Sequence, residues 1–265
     1  MNCLKDTLNL VDGNEIPRLG LGTFQMNTSE IINAVFSAIE TGYRHIDTAE
    51  MYKNEKAIGE ALKKSPVDRN ELYITSKVWT SHFDYEQSIK ACQNSLDRLG
   101  TDYLDLYLLH WPGNGDIDAW KALIDLQKQG KCRSIGVSNF SQAQIETLVE
   151  KTGIVPAANQ VEFHPFNFKK SLLEYCRSQD IILEAYSPLT RGKRFDDPTV
   201  QSIAAAHHKS AAQVLIRWVL QHDVVVLPKS SNPERIKENA DVSDFALGHK
   251  EMKKLDALDE GYSAL

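Results

Sequence analysis

The sequence predicts an α/β fold, a single (β/α)8 TIM barrel, and three observations carry that expectation. The chain has 265 residues, close to the ~250 typical of one such barrel. Short apolar runs alternate with amphipathic segments, and no linker or low-complexity stretch interrupts them. The runs are nearly continuous in apolar residues, as strands are when helices cover a parallel sheet. One domain spanning residues 1–265 follows from this pattern.

The elements read in order. Two runs, 7–10 and 16–21, flank Asp12-Gly13-Asn14, and Asp-Gly between such runs signals a β-hairpin. Lying before the first barrel strand, it would cap the bottom of the barrel. Barrel strands are expected at 19–22, 44–47, 72–78, 104–110, 134–138, 158–163, 181–187 and 224–228. The first helix, 29–41, has Ile31, Val35 and Ile39 at helical spacing and Gly42 just past its end. Helices follow at 84–99, at 119–129 (which stops at Gly130), and at 141–151, 169–178, 198–207 and 210–222. A helix at 233–240 follows the last strand, and a terminal helix is expected at 251–258.

Composition narrows the function classes. Hydrophobic residues make up 42% and charged residues 25%, ordinary globular values. A net charge of −6 and a pI near 5.8 argue against nucleic acid or an anionic membrane as the partner, since both reward a basic surface. The four cysteines form no C-x-x-C pair, and Cys92 shares an apolar helical stripe with Ile89, Leu96 and Leu99, which makes it a core thiol. No signal peptide and no run of ~18 apolar residues is evident, so a cytoplasmic protein is expected.

In a barrel of this kind chemistry gathers where the strands end. Polar residues interrupt every expected strand end: Gly22-Thr23, Asp47, Lys77, His110, Ser138-Asn139, Gln160, Tyr186-Ser187 and Lys229-Ser230. Each has an alternative use. Asp47 could cap a helix, Lys77 could be a surface lysine, His110 a core histidine and Tyr52 a packed aromatic. Independent structural uses would not all collect on one rim.

The segments Arg44-His45-Ile46-Asp47-Thr48-Ala49 with Tyr52, Thr75-Ser76-Lys77-Val78-Trp79, and Leu108-Leu109-His110-Trp111-Pro112 resemble the aldo-keto reductases. So do Gly136-Val137-Ser138-Asn139, Asn159-Gln160-Val161-Glu162, Ala185-Tyr186-Ser187-Pro188-Leu189, and Pro228-Lys229-Ser230 with Arg235, Glu238 and Asn239. The resemblance implies NADPH-dependent carbonyl reduction, with Asp47, Tyr52, Lys77 and His110 as the catalytic four. Tyr52 would be the proton donor, its pKa lowered by Lys77 while Asp47 keeps that lysine charged; His110 would hold the carbonyl oxygen. Tyr186 would stack on the nicotinamide, and Ser138, Asn139 and Gln160 would bind its carboxamide. Lys229, Ser230 and Arg235 would take the 2′-phosphate, with Glu238 and Asn239 near the adenine. Gly22, Thr23, Ser187 and Leu189 complete the expected cofactor contacts.

No G-x-G-x-x-G follows a strand, which disfavours a Rossmann-type site. No metal is needed, and His207-His208 are read as surface residues. Arg191, Lys193 and Arg194 either fold over the pyrophosphate or form a solvated basic loop. Phe24, Met51, Trp79 and Trp111 would wall the substrate pocket, and the short chain end implies an open one. A monomer acting on a small carbonyl substrate such as methylglyoxal is expected, with keto sugar acids as the alternative. A non-catalytic binding protein, or an aldolase using Lys77 as a Schiff base, are the competing classes.

Overall fold

The computed structural model describes residues 2–265. A hairpin of β1 (Thr7–Asn9) and β2 (Glu15–Pro17) comes first, turning at Gly13 with φ +87°. Eight parallel strands then pair in sequence order. They are β3 (Gly20–Gly22), β4 (His45–Asp47), β5 (Tyr73–Val78), β6 (Leu104–Leu109), β7 (Cys132–Ser138), β8 (Ala158–Glu162), β9 (Ile182–Tyr186) and β10 (Val225–Leu227). Bridges from Leu19 to Val226 and from Gly22 to Lys229 bring the last strand to the first and close the barrel.

The helices are α1 (Thr28–Thr41), α2 (Glu55–Lys63), α3 (Tyr85–Leu99), α4 (Asp116–Lys128), α5 (Gln142–Thr152), α6 (Lys170–Ser178), α7 (Pro198–His207), α8 (Ala211–Gln221), α9 (Pro233–Ala240) and α10 (His249–Asp256). Their starts follow from side chains that accept the first free N–H groups: Asn27, Asp84, Ser141, Ser210 and Asn232. Helix α1 ends at Gly42, whose φ of 109° a side chain would oppose. Among the described residues no helix is long and apolar enough to cross a membrane.

The eight barrel strands stand where the sequence predicts them, apart from a residue or two at the ends; the second hairpin run, expected at 16–21, ends at Pro17 because Gly20–Gly22 belong to the first barrel strand. Helix α2 is the element that reading omitted. Helix α4 starts at Asp116, inside what reads as a loop, and α10 starts at His249. His207 is not a free surface residue: its ring lies 3.0 Å from both Glu251 oxygens and ties α7 to α10.

Two apolar clusters divide the work. The larger fills the layer between strands and helices and contains Trp120, Trp218 and all four cysteines. The smaller fills the barrel itself, where Leu10 and Ile16 of the hairpin region join Tyr73, Leu106, Leu108, Ala158, Val225 and Leu227. The hairpin therefore seals the lower end. Space inside is tight: a Cβ on Gly136 would lie 2.6 Å from the Ala158 carbonyl oxygen, so only glycine fits there.

Candidate active site

The open end of the barrel carries a cleft of about 1260 Å³. It is lined by every site residue the sequence reading named except Lys77, which lies buried beneath its floor.

Lys77 has no exposed surface, and its ammonium donates to both Asp47 oxygens at 2.7 and 2.8 Å and to the Thr48 carbonyl at 2.8 Å. Three protein oxygens thus surround the ammonium. Burial works against the charge, but Asp47 and then Tyr52 outweigh it and hold the lysine pKa above its usual value. The surface-lysine and helix-cap alternatives for Lys77 and Asp47 end here.

Tyr52 closes a helical turn, Glu50–Tyr52, that follows β4. Its ring is 5.0 Å from Phe24 and 5.5 Å edge-on from His110, and the Lys77 ammonium sits 5.3 Å from its centre. Burial raises the phenol pKa and Lys77 pulls it down; the balance stands above the ordinary tyrosine value. The expected net lowering is not found, because desolvation of the phenolate exceeds the attraction of a lysine whose charge Asp47 already engages. His110 packs edge-on against Trp79 at 5.1 Å. Burial and then Lys77 push its pKa down to about 2, so the ring is neutral at ordinary pH.

The next strand ends are bonded to one another. Ser138 donates to the Gln160 carbonyl at 2.8 Å, and the Asn139 amide donates to the His110 carbonyl at 3.2 Å. Tyr186 Oη donates to Asn139 Oδ1 at 2.8 Å. Asn139 holds φ 64° and Ser187 φ 50°, left-handed values that turn the chain sharply at the rim. Gln160 Nε2 donates to Asp47 Oδ2 at 2.8 Å, which ties β8 to the Lys77 pair. Thr23 donates to the Asp47 carbonyl at 2.8 Å, and Gly22 packs beneath it, its amide bonded to Pro228.

The far end of the cleft is different in kind. Lys229 and Arg235 are exposed, and among the described residues neither side chain has an ion-pair or hydrogen-bond partner. They flank the start of α9, the end of a helix whose dipole favours an anion. Ser230 is buried, Glu238 half-buried and Asn239 buried along the same wall, and Leu189 lines the adjoining loop. In that loop Arg191 and Lys193 are exposed, whereas Arg194 is engaged: it pairs with Glu260 and lies 4.3 Å over the Tyr262 ring.

Three features escaped the sequence reading. Glu50 accepts the Trp79 backbone N–H and lies 3.1 Å from the His82 ring, joining the Tyr52 turn to the Trp79 loop. The chain end, short as it is, folds back. Glu162 accepts from Ser263 Oγ and Ala264 N, both at 2.6 Å, and Leu265 lines the cleft. Glu184, inside the barrel, is wholly buried. At the mouth Met51 and Trp111 are each 37% exposed, with Phe24 and Trp79 half-buried behind them.

Residues 18–260 match the model of the aldo/keto reductase family. The chain belongs to that family. It is 51% identical over 259 residues to glyoxal reductase of Bacillus subtilis (strain 168), covering 97% of this chain and 94% of that protein. It is 43% identical to methylglyoxal reductase DkgA of Escherichia coli (strain K12), covering 96% and 94%. A crystal structure of Bombyx mori aldo-keto reductase in complex with NADP superimposes with a TM-score of 0.92 at 36% identity, over 98% of this chain and 94% of that one. The reductase is thus an oxidoreductase of (β/α)8 architecture, and its family uses NADP(H).

Proposed function

We propose that this reductase uses NADPH to reduce small aldehydes and α-dicarbonyl compounds to alcohols, with Tyr52 as the proton donor. The observation that carries the reading is the meeting of Tyr52 and His110 at one point of the cleft, 5.5 Å between ring centres, above the buried Lys77–Asp47 pair.

The residues present suit the cofactor. Lys229 and Arg235 offer two uncommitted cations to a 2′-phosphate at the start of α9, with Ser230 beside them and Glu238 and Asn239 near the adenine. Tyr186 would stack on the nicotinamide, with Ser138, Asn139 and Gln160 around its carboxamide. Gly22, Thr23, Ser187 and Leu189 line the stretch between the two ends. When bound, NADPH supplies the hydride to the carbonyl carbon.

The chain's own groups manage the oxygen. A neutral His110 donates an N–H to the carbonyl oxygen and fixes its position. Tyr52 Oη gives its proton to that oxygen as negative charge gathers on it, and the Lys77 ammonium offsets the charge left on the phenol. Asp47 keeps Lys77 charged and aimed. Phe24, Met51, Trp79 and Trp111 wall the space above, and none of the four is ionisable, which suits a small uncharged carbonyl. The two similar proteins named for glyoxal and methylglyoxal favour the same substrate class.

NADPH absorbance against a panel of methylglyoxal, glyoxal, simple aldehydes and keto sugar acids tests the reading. Turnover with the dicarbonyls is expected, and Tyr52→Phe should lower kcat by ~10²-fold or more with little change in NADPH affinity. A Tyr52→Phe protein with full turnover would remove the tyrosine from the mechanism, and turnover with sugar acids alone would move the substrate class.

A further inference from the structure

Glu184 stands at the middle of β9, paired across to Gln160 on β8 and Val225 on β10. It has no solvent exposure. Its Oε2 accepts from Gln160 Nε2 at 3.3 Å, and the same nitrogen donates to Asp47 Oδ2 at 2.8 Å. Its Oε1 has no partner among the described residues. The charged and titratable groups facing it are Asp47 on β4 and Lys77 and Tyr73 on β5; Gln160 is the polar neighbour on β8. No step of the proposed reaction uses this carboxyl group.

Its geometry acts on Gln160. An amide side chain can point either its nitrogen or its oxygen at a given partner. Here both neighbouring groups present carboxyl oxygens, and Asp47 is the ion-paired partner of Lys77, so the nitrogen must face inward. The Gln160 oxygen accepts from no described residue, and Gln160 lines the cleft.

We propose that Glu184 is a positioning residue for the cofactor: together with Asp47 it holds the Gln160 amide nitrogen, so that the Gln160 oxygen faces the cleft as an acceptor for the carboxamide N–H of the nicotinamide. The inference rests on the NADPH reading above and adds a residue to it. Burial first, and the nearby Asp47 second, push the Glu184 pKa up to about 8, so the group is mostly the neutral acid at neutral pH. It therefore accepts from Gln160 without setting a second negative charge against Asp47, and Lys77 keeps a single counter-ion. A neutral isostere should do the same work.

The test compares affinity for NADPH with affinity for 2′-phospho-ADP-ribose, which has the phosphates and adenine but no nicotinamide. Both are read by quenching of tryptophan fluorescence. Glu184→Leu removes the acceptor and should weaken NADPH by about 3- to 10-fold, the range of one neutral hydrogen bond, while the nicotinamide-free ligand binds as to the wild type. Glu184→Gln keeps an acceptor oxygen and should restore NADPH to within about 2-fold. Should the leucine variant not fold, Glu184→Met reads the same contrast. Equal weakening of both ligands would make Glu184 a packing residue and overturn the proposal, and so would no change in either. A wild-type protein with no affinity for NADPH overturns the cofactor reading itself, which separates that failure from a failure of the Glu184 assignment.

Discussion

At one end of the cleft Lys77 is sealed from water and bonded to Asp47 and Thr48; at the other, Lys229 and Arg235 stand in solvent with no side-chain partner among the described residues. Both ends carry cations, yet they are prepared in opposite ways. On the mechanism proposed above, the reaction end is arranged before any ligand arrives, because charges that act on a transition state help most when they need no reorganisation and little water surrounds them. The recognition end is left uncommitted, because a cation already paired would have to break one contact to make another. On that reading the same amino-acid type would serve as a fixed part of the machinery in one place and as an open socket in the other.

The sharpest test of that contrast is Lys77→Met. It strands Asp47 as a buried, unpaired charge, which should lower stability by about 3–5 kcal/mol and kcat by ~10²-fold. Urea unfolding and steady-state rates measure the two losses, and a variant as stable as the wild type would mean that the pair is not under strain from burial. Arg235→Ala is the mirror case. NADPH affinity should fall by ~10- to 150-fold, NADH should lose much less, and stability should change by no more than ~0.5 kcal/mol. Equal losses for the two cofactors would show that Arg235 reads the adenine and not the phosphate.

Acid should also tell the two ends apart. Burial holds His110 at about 2 and His45 at about 3 in the folded protein, below the ordinary 6.5. Below pH 6.5 the unfolded chain takes up protons that the folded one refuses. Stability is therefore present above that pH and lost as pH falls toward the folded values, by up to about 1.4 kcal/mol per pH unit for each ring. Denaturant midpoints across pH 6.5 to 5 should drop, more gently for His110→Asn, and in parallel with the wild type for Arg235→Ala. A midpoint that does not move would contradict the burial argument. The smallest effect belongs to Arg191→Ala. An exposed cation on the adjoining loop, 5.9 Å from the Phe24 ring, should contribute no more than a ~2- to 5-fold change in NADPH affinity. A larger loss would place the loop on the pyrophosphate.

Much of this was legible before the structure, for a physical reason. Barrel strands are buried on both faces, so 224–227 reads as an unbroken apolar run and 104–109 as one broken only by Asp105, and the polar residue that ends each one stands out. Helix α2 did not stand out because it is nine residues long and rich in charge, and one of its buried positions is Glu55. That carboxylate is stabilised by Arg98 and Ser76 from neighbouring elements, which no local pattern reveals. Glu184 was missed for the related reason that a glutamate in a strand reads as solvent-facing. Inside a barrel it faces Gln160 and Asp47 instead. The tail 259–265 has no periodicity at all, and its place depends on the distant Glu162 and Phe166. The lowered Tyr52 pKa was expected from charge alone, whereas the cost of burial became visible only with the surroundings.

The hairpin plug has a kinetic meaning. With Leu10 and Ile16 packed into the lower barrel, ligands reach the cleft from its open upper end. The groups assigned to the nicotinamide, Ser138 and Gln160, are each only 1% exposed, while Met51 and Trp111 at the rim are each 37% exposed. A cofactor held by the first pair lies below a carbonyl compound held by the second. On the proposed reading the two ligands would queue: NADPH is expected to enter before the substrate and NADP+ to leave after the alcohol, and an excess of substrate analogue bound first would bar the cofactor's way in.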